Sequence, residues 1–219
     1  MNFSSEQDSI NPSVFVIGSA ATARLTHGAN VAVLFARRDS NYKAMAGVDV
    51  WDADRDAKNW PGGNQVVAHP PCRAWPSLRH CAKPRAGEKE LAIWAVQQIR
   101  RWGGVLEHPR RSLLWPTVGL PMPKQRDVFG GFTLIVDQFW WGHRARKRTL
   151  LYVCGCEPRE VPKMPLALGD APCTVGLWSG RDKQRCRPSI GKSEYEATPP
   201  EFAAWLVALA ARCRPNERA

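Results

Sequence analysis

Residues 65–72, Gln65-Val-Val-Ala-His-Pro-Pro-Cys72, decide the reading of this chain. Gln65 to Ala68 reads as a short strand that stops at His69-Pro-Pro-Cys72. Proline lacks an N–H and fixes φ, so two in a row end the strand and hold the following cysteine at a defined angle. Downstream, Glu88 to Trp102 places Leu91, Trp94, Ala95, Ile99 and Trp102 on one helical face, with Glu88, Gln97, Arg100 and Arg101 away from it. Gly103-Gly104 ends that helix. Val105-Leu106 begins another strand, which stops at Glu107-His-Pro109.

The same grammar extends outward. Ser13 to Ile17 and Val31 to Phe35 are short continuous apolar runs, and Val48 to Trp51 is a weaker one. Phe132 to Val136 and Thr149 to Val153 read as later strands. Strands apolar on both faces, alternating with helices, predict an α/β fold with a mostly parallel sheet and flanking helices. In such sheets, reactive groups sit at the carboxyl ends of strands. Two strand ends carry such groups here, Cys72 and Glu107. Residues 1–12 read as a flexible lead-in, 13–153 as the core and 154–197 as an irregular Pro-, Gly- and Cys-rich excursion. Residues 198–219 hold a last helix, opened by a capping box from Thr198 to Glu201, with Phe202, Trp205, Leu206 and Leu209 on its apolar face.

The formal net charge is +11, which favours a polyanionic partner over an acidic or neutral one. No apolar run reaches the length of a membrane span, and no membrane partner is expected. Seven cysteines, an odd number without signal-peptide grammar at the start, predict reduced thiols and a cytoplasmic protein of a bacterial or phage-infected host cell. Cys154, Cys156, Cys173 and Cys186 are too irregularly spaced for a zinc ribbon, and no metal site is expected. Trp140-Trp141 reads as core packing beside a basic block, Gly142-His-Arg-Ala-Arg-Lys-Arg148.

Cysteine, glutamate and arginine in this order suit one kind of chemistry. Carbon 5 of cytosine is a poor nucleophile. A thiolate added to carbon 6 makes an enamine that attacks from carbon 5. The step needs an activated thiol, an acid facing ring N3, and a cation for the developing charge.

The motifs resemble those of the DNA cytosine-C5 methyltransferase family. Pro70-Pro-Cys-Arg-Ala-Trp-Pro-Ser77 resembles its nucleophile loop, Glu107-His-Pro109 its Glu-Asn-Val/Pro motif, and Gly142 to Val153 its Gln-x-Arg-x-Arg motif with the following strand. They occur in the family's order within residues 13–153, in a chain whose compact size looks phage-like. The resemblance implies a Rossmann-like methyltransferase fold, DNA as partner, and S-adenosylmethionine as methyl donor. It implies Cys72 as nucleophile, Glu107 as the N3 partner, and Arg146 with Arg148 as the base- and thiol-facing cations.

The cofactor half of the pattern is thin. Phe15-Val-Ile-Gly18 stands where the family has a glycine-rich loop, and Asp39 and Asp52 are the acids after the next strands. Phe15, Gly18, Asp39, Asp52 and Pro70 are therefore the expected cofactor contacts. Arg73, Arg144, Arg181, Lys183 and Arg185 are the expected nucleic-acid contacts, with residues 154–197 as a reduced target-contact region. Two rival expectations are another cysteine-dependent pyrimidine modification, and a methyltransferase-like protein that binds DNA without catalysis.

Overall fold

A computed structural model describes residues 31–76, 83–175 and 187–216. Six strands form one sheet: β1 (Val31–Ala36), β2 (Val48–Asp52), β3 (Val66–Ala68), β4 (Gly104–Pro109), β5 (Phe132–Asp137) and β6 (Arg148–Cys154). Their spatial order is β2-β1-β3-β4-β6-β5. β1 to β4 are mutually parallel, and β6 runs antiparallel between β4 and β5. The predicted mostly parallel α/β sheet is what forms.

The sheet is sandwiched because its strands bury both faces. Along β4, Val105 packs with Val33 and Val67 toward α4 (Pro200–Ala210), and Leu106 packs with Ala68 toward α1 (Glu88–Trp102). α4 contributes Phe202, Leu206 and Leu209 at 0 % exposure, the face read from its spacing. Its cap differs from expectation. Pro199 is the N-cap and no side chain caps the helix, because the Thr198 carbonyl is bonded by Asn41 Nδ2 at 2.8 Å and the chain there is extended. α1 buries Ala92, Ala95, Val96 and Ile99, while Leu91 and Trp94 are only partly covered. Glu88 is buried rather than solvent-facing: it accepts from the Arg85 N–H at 3.1 Å and from the Arg73 guanidinium.

Gly104 begins β4 with φ +139°, and a Cβ there would run into the Val66 backbone. Only glycine lets β3 and β4 pair at that point.

The chain passes from β1 to β2 on one side, then to β3 on the other. The switch point, where such sheets open a crevice at their carboxyl edge, is between β1 and β3. Val31–Ala36 lies next to the edge strand β2 and is paired on both sides. The expected first strand, residues 13–17, lies outside the described residues. Residues 154–197 are irregular where described, except for a 3-10 turn at Pro158–Glu160, the short ribbon of β7 (Thr174–Val175) with β8 (Ser189–Ile190), and α3 (Lys192–Glu196).

His108, on the α1 face of β4, has 0 % exposure, and neither ring nitrogen has a partner. Burial pushes it down to about 4, against the opposing pull of Glu107. The folded state thus resists a proton that the unfolded chain accepts near pH 6.5, so stability is full above that pH and falls as pH drops toward 4. His108→Phe should remove on the order of 3 kcal/mol of that pH dependence, the value of a shift of this size. Urea titrations of both proteins between pH 7 and 4.5 check this. Equal slopes of stability against pH in the two proteins would refute it.

Candidate active site

A cleft of ≈ 420 Å³ opens at the switch point. Its floor is the Phe35–Tyr42 segment after β1 and the His69–Arg73 segment after β3. Glu107 and Pro109 of β4 and Lys147–Thr149 at the start of β6 form a second wall. The third comes from α3 and its flank, Lys192 and Tyr195–Thr198. Phe35 shapes the floor. It takes φ +61° at a bulge between Leu34 and Ala36, and its ring stacks edge-on against Trp94 at 5.9 Å.

Cys72 and Glu107, predicted as partners, line this one cleft. The Cys72 residue is open to solvent, but its thiol faces the cleft and is pushed up, first by burial and then by the negative Glu107; Lys147 pulls it back down. Glu107 is enclosed, and burial alone would push its carboxyl up. The His69 hydrogen bond and the charge of Lys147 outweigh burial and hold it at about 2. Glu107 is therefore a carboxylate. In that form it accepts hydrogen bonds, and to donate to ring N3, as the resemblance implies, it would first have to gain a proton.

Its partners are fixed by atoms. His69 Nδ1 lies 3.1 Å from Glu107 Oε2, and Gln138 Nε2 lies 3.2 Å from Oε1. A carboxylate only accepts, so His69 Nδ1 carries hydrogen, and Nε2 shares a hydrogen bond with the Tyr42 hydroxyl at 2.9 Å. Burial, then Glu107, pushes Tyr42 well above the ordinary phenol range, so that hydroxyl keeps its proton. Tyr42, His69 and Glu107 form one chain of hydrogen bonds from the core to the cleft.

The cation beside Cys72 and Glu107 is Lys147, which sequence reasoning passed over. Burial lowers its pKa; Glu107 and Cys72 raise it. Its Nζ donates to the Ala197 carbonyl at 3.3 Å. Burial alternates along this segment: His143, Ala145 and Thr149 are buried and Lys147 half-buried, while Arg144, Arg146 and Arg148 are exposed. That period of two was legible in the sequence and assigns Lys147, not the arginines, to the inner face.

The expected cations divide accordingly. Arg146 does not line the cleft: it pairs with Asp137 at 3.1 Å, bonds the Gly169 carbonyl, and lies over the Phe139 ring at 4.4 Å. Arg148 lines the cleft from the rim. Arg144 is spent on Glu194 at 3.0 Å, and Arg73, though on the cleft wall, on Glu88. Arg181, Lys183 and Arg185 lie outside the described residues.

Of the expected cofactor contacts, Asp39, Asp52 and Pro70 are described, and Asp52 does not line the cleft with the other two. Asp52 is 5 % exposed, and its carboxylate is taken by Lys43 Nζ at 2.6 Å and by the Asp54 N–H at 3.0 Å. Asp39 borders the cleft but gives both oxygens to Arg37, at 2.9 and 2.8 Å. Both carboxylates are thus paired with cations in this structure. Pro70 lines the cleft; Phe15 and Gly18 lie outside the described residues. Among the described residues, no group of three His, Cys, Asp or Glu side chains is arranged to hold a metal, and no helix is long and apolar enough to cross a membrane. Cys186 lies outside them. Comparison of the chain with protein-family models, with curated proteins and with solved structures gives no match.

Proposed function

We propose that the cleft takes a pyrimidine base and that Cys72 adds to its carbon 6, activating carbon 5 for substitution, as the resemblance to DNA cytosine-C5 methyltransferases implies. The convergence of Cys72, Glu107 and Lys147 on one cleft at the sheet's switch point carries this reading.

The steps follow from the charges. Glu107, already a carboxylate, accepts the exocyclic amine of cytosine with a lone pair left over from its His69 and Gln138 bonds. Cys72, exposed to solvent, passes its proton to water, and its sulfur bonds carbon 6. The electron pair of the 5,6 double bond moves toward N3 and the exocyclic oxygen, where the Lys147 ammonium meets the new negative charge and donates a proton. Carbon 5 is then a nucleophile and either takes a proton from water or displaces the leaving group of a methyl donor, which departs with the bonding pair. Water takes the original carbon-5 hydrogen as a proton, the N3 proton returns to Lys147, and expulsion of the sulfur as thiolate restores the double bond and frees Cys72.

His69 is a positioning residue in this scheme. His69→Gln should raise the Glu107 pKa and move the acidic limb of the rate–pH profile upward, because the hydrogen bond that holds the carboxylate ionised is lost. An unmoved acidic limb in His69→Gln would remove His69 from the mechanism.

The paired Asp39 and enclosed Asp52 favour a second reading, a methyltransferase-like DNA-binding protein without methyl transfer. Mass spectrometry of nucleosides from DNA of cells expressing the protein or Cys72→Ala decides between them. The enzyme reading expects a cytosine substituted at carbon 5 in the first sample only; identical nucleosides in both favour the binding protein.

A further inference from the structure

From the distribution of ion pairs around the cleft, we propose that Arg110, Arg111 and Arg148 form the seat for the phosphate backbone of a nucleic-acid strand whose base enters the cleft. The inference rests on the reading of the cleft as a base pocket and names the surface that would make its substrate a polynucleotide.

Most arginines near the cleft are already neutralised. Arg37 bonds Asp39, Arg38 bonds Asp54, Arg73 bonds Glu88, Arg144 bonds Glu194, and Arg146 bonds Asp137. A guanidinium paired with a carboxylate has its charge largely balanced and attracts a phosphate less than an unpaired one. Arg110, Arg111 and Arg148 are different: each is exposed, and none makes a side-chain hydrogen bond or ion pair among the described residues.

The three belong to one place. The Arg110 N–H donates to the Arg148 carbonyl at 3.2 Å, as the β4–β6 pairing of Pro109 with Thr149 runs out. The turn they occupy is tied to the nucleophile loop: the Leu113 N–H donates to the Trp75 carbonyl at 2.8 Å, Ser112 bridges Pro76, and the Trp75 N–H donates to the Cys72 carbonyl at 3.0 Å. Arg148 and Pro109 are themselves cleft residues. The unneutralised rim is thus bound by backbone hydrogen bonds to the loop that holds Cys72.

Charge of this kind recognises phosphate. Guanidinium forks match phosphate oxygens in bidentate fashion, and such contacts fix where a strand lies without reading its sequence. A free nucleoside has no phosphate to offer, and a free mononucleotide has only one. Three adjacent unpaired arginines beside one base pocket suit several successive phosphates of a strand.

The test is the salt dependence of binding by fluorescence anisotropy, with the full chain and a short labelled single-stranded DNA oligonucleotide. Each arginine–phosphate pair removed should lower the slope of log K against log salt by about 0.7. The triple variant R110Q/R111Q/R148Q should therefore lose about two units of slope, and Arg144→Gln, whose guanidinium is held by Glu194, should keep the wild-type value. A wild-type slope in the triple variant overturns the assignment. Equal losses in the triple variant and in Arg144→Gln also overturn it, since charge alone and not this rim would then decide. Exchange of the carbon-5 hydrogens of the same oligonucleotide, measured in parallel at low salt with protein in saturating excess, reports on the base pocket independently. Loss of slope in the triple variant with no exchange in any protein would keep the rim as a phosphate seat and remove the cleft as a reaction site.

Discussion

Cys72→Ala is expected to abolish covalent capture of DNA containing 5-azacytosine. Nitrogen at ring position 5 makes carbon 6 more electrophilic and leaves no carbon-5 hydrogen to be eliminated, so a thiolate adduct persists. Wild-type protein should show a population whose mass is raised by the oligonucleotide, and peptide mapping should place the modification on Cys72. The variant should show none, a loss of about three orders of magnitude or more, the scale on which removal of a nucleophile acts. The other cysteines of the described chain cannot take over: Cys154, Cys156, Cys173 and Cys213 are all buried. Because burial and Glu107 raise the Cys72 thiol, capture by the wild type should quicken as pH rises above neutrality. Adduct formation in Cys72→Ala at the wild-type rate would show that the nucleophile is another residue.

Lys147→Met is the second large effect. Removing this cation strips positive charge from between a thiol and a carboxylate that share one enclosed cleft. Both partners should then resist ionisation more strongly: the Cys72 thiol moves further up, and Glu107 loses one of the influences that hold it down. The rate of addition should fall by about two to four orders of magnitude, the usual value of a positioned proton donor. The limb of the rate–pH profile that rises with Cys72 ionisation should move to higher pH, which a merely structural lysine would not cause. Arg146→Met, by contrast, removes a guanidinium turned to Asp137 and Phe139, and should leave that limb in place. Comparison of the two rate–pH profiles settles which cation serves the cleft. A larger displacement in Arg146→Met than in Lys147→Met would reverse the assignment.

What the sequence revealed and what it hid have physical causes. β1 and β3 to β6 are runs of apolar residues, and burial on both faces makes such runs visible without any partner being known. The end of β3 was visible for the same reason, and with it Cys72, whereas β4 runs on past Glu107 to Pro109, beyond the stop read from the sequence, because His108 and Pro109 still pair with β6. The Tyr42–His69–Glu107 chain was hidden because its links span 27 and 38 residues, and no local pattern records them. Lys147 was hidden differently. Three arginines at alternate positions drew the reading, yet alternation is what places the residues between them on the inner face. The ion pairs of Asp39 and Asp52 are equally tertiary. Asp52 meets a lysine nine residues earlier, on the 3-10 turn at Asn41–Ala44, and an acid at a strand end carries no mark of being already paired. The third wall of the cleft comes from α3, a five-residue helix in a segment without periodicity, which only its packing defines.

The central claim is that Cys72 adds to carbon 6 of a cytosine held in the cleft, and proton exchange tests it most directly. Addition makes carbon 5 basic whatever electrophile follows, so in deuterated water the carbon-5 hydrogen should be replaced by deuterium without net change in the base. Wild-type protein incubated with a cytosine-containing oligonucleotide should show this loss of the carbon-5 proton signal by NMR, at a rate that Cys72→Ala reduces to the solvent background. An oligonucleotide that binds the wild-type protein yet retains its carbon-5 hydrogen at the background rate would contradict the account.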